Sequence, residues 1–295
     1  WIRAWKLRPW KVVTGEMVCP AIASSCTAEK RASIRASPCP SAAFCLFDAV
    51  VDMPVNAPFL IVETGQPVRS MRRYGGFPHW IRVAAGLEAD ETVVANVERG
   101  DTLPSREGFA GVIVSGSAAM VTDRADWSER SAEWLRDAAH EGLPLLGICY
   151  GHQLLAHALG GEVVYNPAGR ESGTVHIDLH PHAQDDPLFS ALPLKFTAHA
   201  THVQTVARPP EGATVLARSE QDDCHAFRWR DRAWGVQFHP EFATHHMRGY
   251  VHARAEHLRS EGRCPGTIAR SVTAAPQARK LLRRFVRHAR GLHAR

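Results

Sequence analysis

Cys149 stands at the centre of Leu145-Leu146-Gly147-Ile148-Cys149-Tyr150-Gly151-His152-Gln153. An apolar run of strand character leads in and a helical pattern leads out, so the cysteine is predicted at a sharp corner. This is the glycine-x-nucleophile-x-glycine elbow with cysteine in the place of serine. The flanking glycines leave room for the turn, and the following helix N-terminus favours a thiolate. An isolated cysteine would more often be an inert core residue. The two glycines and the strand-to-helix change favour a nucleophile instead.

A thiolate nucleophile needs a base, and the base needs an orienter. Gly235-Val236-Gln237-Phe238-His239-Pro240-Glu241 offers both, because an apolar strand runs into His239 and a carboxylate follows two residues later. Glu241 can hold one imidazole nitrogen while the other faces Cys149. The chain has 17 histidines, most of which must be structural or exposed. The order of the residues also matters: α/β-hydrolases share the elbow, but their acid precedes their histidine. A metal enzyme using His176, His180 and His182, or His245 and His246, is the other reading, and neither group has a specific ligand spacing.

Taken together, the two motifs resemble the class I (triad) glutamine amidotransferases over about residues 59–260. The likeness is nearest to stand-alone domains similar to the amidotransferase domain of GMP synthetase, and plant γ-glutamyl peptide hydrolases are similar too. The resemblance implies that Cys149 attacks the side-chain amide of glutamine, that His239 carries the proton to departing ammonia, and that Glu241 orients His239. It also implies an oxyanion hole from the N–H of Tyr150 and one in the Ser115-Gly116-Ser117 loop, so Gly116 and Ser117 are candidates. Gln153 and Gly173 match positions that contact substrate. The family loop commonly reads S-G-G-P where this chain has Ser115-Gly116-Ser117-Ala118, so the donating amide stays open. Thr201-His202-Val203-Gln204 stands where relatives often carry S-H-x-D, and His202 is read equally as shaping the pocket or as structural.

The elements needed to position these residues are legible. Strands are predicted at Phe59–Val62, Thr92–Val97, Gly111–Val114 and Leu143–Ile148, with helices to about Ala85, over Ser128–Glu141 and over Gly151–Leu159. Alternation of strands and helices implies parallel pairing and an α/β three-layer sandwich with a mostly parallel central sheet, flavodoxin-like as the resemblance would have it. Further strands are predicted at Gly161–Tyr165, Gly173–Leu179, Val215–Arg218, His225–Trp229 and Ala233–Phe238. Two closing helices follow, one with Met247, Tyr250, Val251 and Leu258 on a face, the other starting near Pro276 with Leu281, Leu282, Phe285 and Val286.

Residues 1–56 lack either periodicity and read as an extension, disordered or outside the fold, ahead of an amidotransferase-like domain over 57–295. Charge is uneven. Residues 57–245 carry 16 basic and 24 acidic side chains, and residues 246–295 carry 12 and 2. With no nucleic-acid module visible, the basic end is expected to be a solvated helix face rather than a nucleic-acid surface. No apolar run is long enough for a membrane span. The 7 cysteines form no C-x-x-C pair, which argues against a zinc ribbon or disulfide scaffold and for a reducing, cytoplasmic setting.

No cofactor is called for. The expected ligand is glutamine or another γ-glutamyl small molecule. About 54 residues follow Glu241, too few for a synthetase domain of ordinary size. Three readings therefore stand: an amidotransferase subunit feeding ammonia to a separate synthetase, a self-contained γ-glutamyl peptide or amide hydrolase, and a non-catalytic regulatory or binding relative. An intact triad speaks against the third.

Overall fold

Strand β1 (Phe59–Glu63) shows how the core is built. Phe59 and Ile61 enter one apolar cluster with Ile81 and Phe285, while Leu60 and Val62 enter a second with Leu135 and Leu154. A strand buried on both faces must lie inside a sheet covered on both sides. The structure is a computed structural model that describes residues 57–293. The extension predicted over 1–56 lies outside the described residues.

The remaining strands are β2 (Thr92–Asn96), β3 (Gly111–Val114), β4 (Leu145–Ile148), β5 (Glu162–Tyr165), β6 (Glu171–Leu179), β7 (Lys195–His202), β8 (Gln204–Arg208), β9 (Ala213–Arg218), β10 (Ala226–Trp229) and β11 (Ala233–Val236). Nine of them form one sheet in the order β2-β1-β3-β4-β11-β10-β9-β6-β7, and β5 pairs with β8 apart from it. From β2 to β11 every neighbour is parallel. From β11 to β7 every neighbour is antiparallel. The helices are α1 (Phe77–Ala85), α2 (Asp126–His140), α3 (Tyr150–Ala158), α4 (Thr244–Ala253), α5 (Ala255–Ser260), α6 (Pro265–Ser271) and α7 (Pro276–His293). Helices α1 and α7 contribute to the cluster on one face of the sheet, α2 and α3 to that on the other. This is the expected three-layer α/β arrangement with parallel central strands.

The departures are local. Strands β7 and β8 and helix α6 have no counterpart in the sequence reading. The first closing helix is two, α4 and α5, interrupted at the single residue Arg254. Helix α7 buries Leu281, Leu282 and Phe285 and exposes Lys280, Arg283 and Arg287. Six of the 12 basic residues of the end are exposed, and five more are half-buried. Among the described residues no helix is long and apolar enough to cross a membrane.

Candidate active site

Strands β4 and β11 lie side by side and parallel, with Ile148 opposite Val236. Their carboxyl ends therefore deliver Cys149 and the segment leading to His239 to the same edge of the sheet, where ligands of open α/β sheets bind. The Cys149 N–H bonds the Val236 carbonyl at 2.8 Å, tying the corner to its neighbour. Cys149 has φ 52° and ψ −100°, outside the regions that side-chain-bearing residues favour. Such strain costs about 1–3 kcal/mol and persists where the surroundings impose it. Here they do: a Cβ at Gly147 would collide with the Gly151 carbonyl, and one at Gly151 would come within 2.5 Å of the Val114 carbonyl. Strand, corner and helix can approach this closely only with glycine at both places.

His239 is held from two sides. Its backbone N–H bonds the His199 carbonyl on β7 at 2.8 Å, and its ring stacks on Phe242 with centroids 4.1 Å apart. The Nδ1–H donates to Glu241 Oε1 at 2.8 Å. Nε2 makes no formed hydrogen bond in the described residues and is left facing the Cys149 sulfur. Burial disfavours charge on both groups, yet their mutual attraction outweighs it. Burial pushes the Cys149 thiol up, but the His239 imidazolium brings it below the ordinary thiol value. Burial likewise pulls His239 down, while the Glu241 carboxylate and the sulfur raise it above the ordinary imidazole value. The arrangement can hold a thiolate–imidazolium pair and pass one proton.

The Ser115-Gly116-Ser117 loop follows β3, next to β4 in the sheet. A Cβ on Gly116 would stand 3.1 Å from His239 Cε1 and 3.7 Å from Cys149 Cβ, so the loop lies directly against the dyad. Thr64 anchors it from β1's end: its hydroxyl lies 2.9 Å from the Ser115 carbonyl and 3.2 Å from that of Gly116. The Ser115 hydroxyl also donates to the Gly116 carbonyl, at 3.1 Å. With that carbonyl turned towards Thr64, the trans peptide directs the Ser117 N–H the other way. Ser117 lines both clefts that reach Cys149. The Tyr150 N–H, at the start of α3, has no hydrogen-bond partner among the described residues, whereas its neighbour Gly151 bonds the Ser115 carbonyl at 3.2 Å. The Tyr150 side chain points away, its hydroxyl 2.6 Å from that of Ser128 on α2.

Gln153 lines a cleft with Cys149, and its NH2 is taken by the Gln204 carbonyl and by Gln237 Oε1, each at 2.9 Å. Gly173, opposite Ala200 on β7, lines a depression with Arg263 and Ile268 and neither cleft that reaches Cys149.

Sequence reasoning left His202 undecided and did not see its partners. Glu171 on β6 is directly opposite His202 on β7. Its Oε2 takes hydrogens from Nε2 of His202 at 2.9 Å and Nε2 of His225 at 2.6 Å, and its Oε1 takes the Ser219 hydroxyl at 2.7 Å. His202 Nδ1 lies 2.8 Å from the Gln204 carbonyl, which can only accept. Both ring nitrogens must then donate, so His202 is an imidazolium. Burial pulls it towards neutrality, but the bond to Glu171 raises it overall. Glu171 is pushed up by burial and brought far below the carboxylate range by these two rings. His202 shares a cleft with Cys149 and adds to the lowering of its thiol. Glu171, His202 and His225 have ligand-type atoms within 4.8 Å of one another, but the hydrogen bonds satisfy Glu171 as it stands. The histidines read as metal candidates are elsewhere: His180 stacks on His182, and His245 and His246 pack with Tyr74.

The fold and this edge of the sheet define a three-layer α/β protein with a cysteine at a strained strand-to-helix corner. Residues 75–254 match the family described as glutamine amidotransferase class-I, and the chain belongs to that family. It is 34% identical over 181 residues to a protein of Methanosarcina acetivorans named as one subunit of a glutamine-hydrolyzing GMP synthase, covering 61% of this chain and 88% of that one. It is 39% identical over 142 residues to the glutamine-hydrolyzing GMP synthase of Aeropyrum pernix, covering 48% of this chain but only 25% of the relative. The chain thus spans about a quarter of such longer relatives. A solved glutamine amidotransferase from Thermotoga maritima shares the fold, with a TM-score of 0.64 at 19% identity over 79% of this chain and 98% of that one.

Proposed function

We propose that this chain hydrolyses the side-chain amide of glutamine through a Cys149 γ-glutamyl thioester. The observation that carries the reading is the strained Cys149 corner facing an imidazole whose far nitrogen is held by Glu241 at 2.8 Å. The sulfur attacks the amide carbon and its oxygen becomes an oxyanion, which the N–H groups of Ser117 and Tyr150 stabilise. Collapse breaks the C–N bond, and the His239 imidazolium gives its proton to the leaving nitrogen, releasing ammonia. Neutral His239 then takes a proton from water, whose oxygen attacks the thioester; glutamate leaves and the sulfur is restored. Glu241 keeps the ring in one orientation throughout.

The ammonia passes to a separate synthetase. Support comes from the family and from the relative of similar length, which is named as one subunit of a synthase. The second reading is a self-contained γ-glutamyl peptide hydrolase.

The test is ammonia release from glutamine and cleavage of γ-glutamyl peptides by the purified chain, with and without a candidate synthetase subunit. Cys149→Ala is expected to lower turnover by about 10⁴-fold or more. Undiminished turnover in that variant would remove the nucleophile assignment. Peptide cleavage far exceeding glutamine hydrolysis would favour the second reading.

A further inference from the structure

Arg254 is the residue of the basic end that lines both clefts reaching Cys149. It sits at the one-residue break between α4 and α5, with φ −104° and ψ 17°. The break turns its side chain inward, where it lines both clefts that reach Cys149, together with Ser117, Ala118 and Thr201. One guanidinium nitrogen donates to the Thr201 hydroxyl at 3.1 Å, and the group lies 5.6 Å from the centre of the Tyr250 ring. Among the described residues no carboxylate lies within ion-pair distance of it. Glu261 is committed to Arg170 at 2.9 Å. A guanidinium offers five N–H donors and cannot shed its charge, and a charge taken out of water normally has a partner. Arg254 is half-buried and makes one side-chain hydrogen bond among the described residues, so its other donors are open to the clefts at Cys149 and to solvent.

We propose that Arg254 receives the α-carboxylate of the substrate and so restricts the site to γ-linked glutamyl compounds whose α-carboxylate is free. The proposal rests on the glutaminase reading for the identity of the anion. Glutamine and γ-glutamyl amides both carry this carboxylate, two methylenes and the Cα away from the scissile amide, so one cleft can hold both groups. A glutaminyl residue within a peptide chain has no such charge and leaves the guanidinium unpaired, a penalty that discriminates strongly. Burial, and after it the charge of Arg170, pull Arg254 below its usual pKa, and an anion in the cleft would offset that.

The experiment has two arms. In the first, Cys149 is alkylated with iodoacetate and with iodoacetamide, which differ in little but charge, so this arm does not depend on glutamine being the substrate. The intact chain is expected to favour iodoacetate. Arg254→Met keeps the apolar stem over Tyr250 and should cut the iodoacetate-to-iodoacetamide rate ratio about 10- to 100-fold. Arg254→Lys, a second variant against loss of folding, should keep part of it. In the second arm, Arg254→Met should raise the KM for glutamine by a similar factor with kcat changed little, and erase discrimination against glutamine α-amide. An unchanged rate ratio in Arg254→Met would overturn the proposal, as would an equal fall with both reagents, which would place Arg254 on the sulfur instead. A charge-dependent alkylation without any glutamine turnover would uphold anion recognition by Arg254 and count against the glutaminase reading alone.

Discussion

Two buried histidines flank Cys149, and each is bonded to a buried carboxylate: His239 to Glu241 at 2.8 Å and His202 to Glu171 at 2.9 Å. The pairs look alike and differ in what remains. His239 spends one nitrogen on its carboxylate and leaves the other to the sulfur. His202 spends both, on Glu171 and on the Gln204 carbonyl. A ring with a free nitrogen can exchange a proton with the sulfur, whereas one with both nitrogens bound to acceptors is a fixed positive charge. The same chemistry thus leaves a candidate proton carrier on one side of the cysteine and a ring with both nitrogens engaged on the other.

The sharpest way to break the comparison is His239→Asn. Loss of the proton carrier is expected to lower glutamine turnover by about 10² to 10⁴-fold. Its signature lies in pH. With His239 present the thiol is held below its ordinary value, so alkylation of Cys149 should already be fast at neutral pH. Without it burial dominates, and the rate should rise only in alkaline solution. A neutral-pH rate that is unaltered by the substitution would mean that the two groups are not coupled.

Glu171→Gln addresses the other side. It removes the hydrogen-bonded carboxylate of the buried His202 and leaves only Asp222, whose Oδ2 lies 3.9 Å from Nδ1, which should cost about 3 kcal/mol in urea unfolding. The sign with pH follows from the depressed carboxylate. Glu171 contributes its stability fully above the unfolded carboxylate value, about 4.3, and loses it as pH falls towards the lower folded value. His202 is raised by the same bond, so the wild-type advantage should be full between the unfolded carboxylate and imidazole values, about 4.3 and 6.5, and shrink as pH falls below that window. An advantage that keeps growing below pH about 4 would contradict the ion pair.

Tyr150→Phe is the smallest effect. The hydroxyl bonds only Ser128 in the described residues. Its removal should cost about 1 kcal/mol of stability and leave turnover nearly unchanged, since the proposed contribution of Tyr150 is its backbone N–H. A large loss of turnover would place the side chain in the chemistry.

What was legible in the sequence follows the range of the interactions involved. The Cys149 elbow is a local object: an apolar strand, two glycines and a helix start within nine residues. His239 and Glu241 are two residues apart, so their pairing needs no knowledge of the fold. The Glu171–His202 pair is formed by strands β6 and β7 lying in register, and β7 was not read as a strand. Its sequence, KFTAHATH, alternates alanine with threonine and histidine and lacks the branched aliphatic run that marks the other buried strands. Gly173 was placed by motif position alone, and it is not among the residues lining either cleft at Cys149.

The sequence by itself determined the candidate nucleophile, its histidine and acid, and the α/β layers that carry them, because these rest on neighbouring residues and on short periodicities. Only the tertiary structure decided that the Ser115-Gly116-Ser117 loop lies against Cys149 and His239, that both ring nitrogens of His202 meet acceptors, and that Arg254 of the basic last fifty residues lines the clefts at Cys149. Those outcomes depend on strand register, on a carbonyl pinned by Thr64 and on a one-residue break in a helix. Each arises from contacts between segments distant along the chain, and local pattern carries no trace of them.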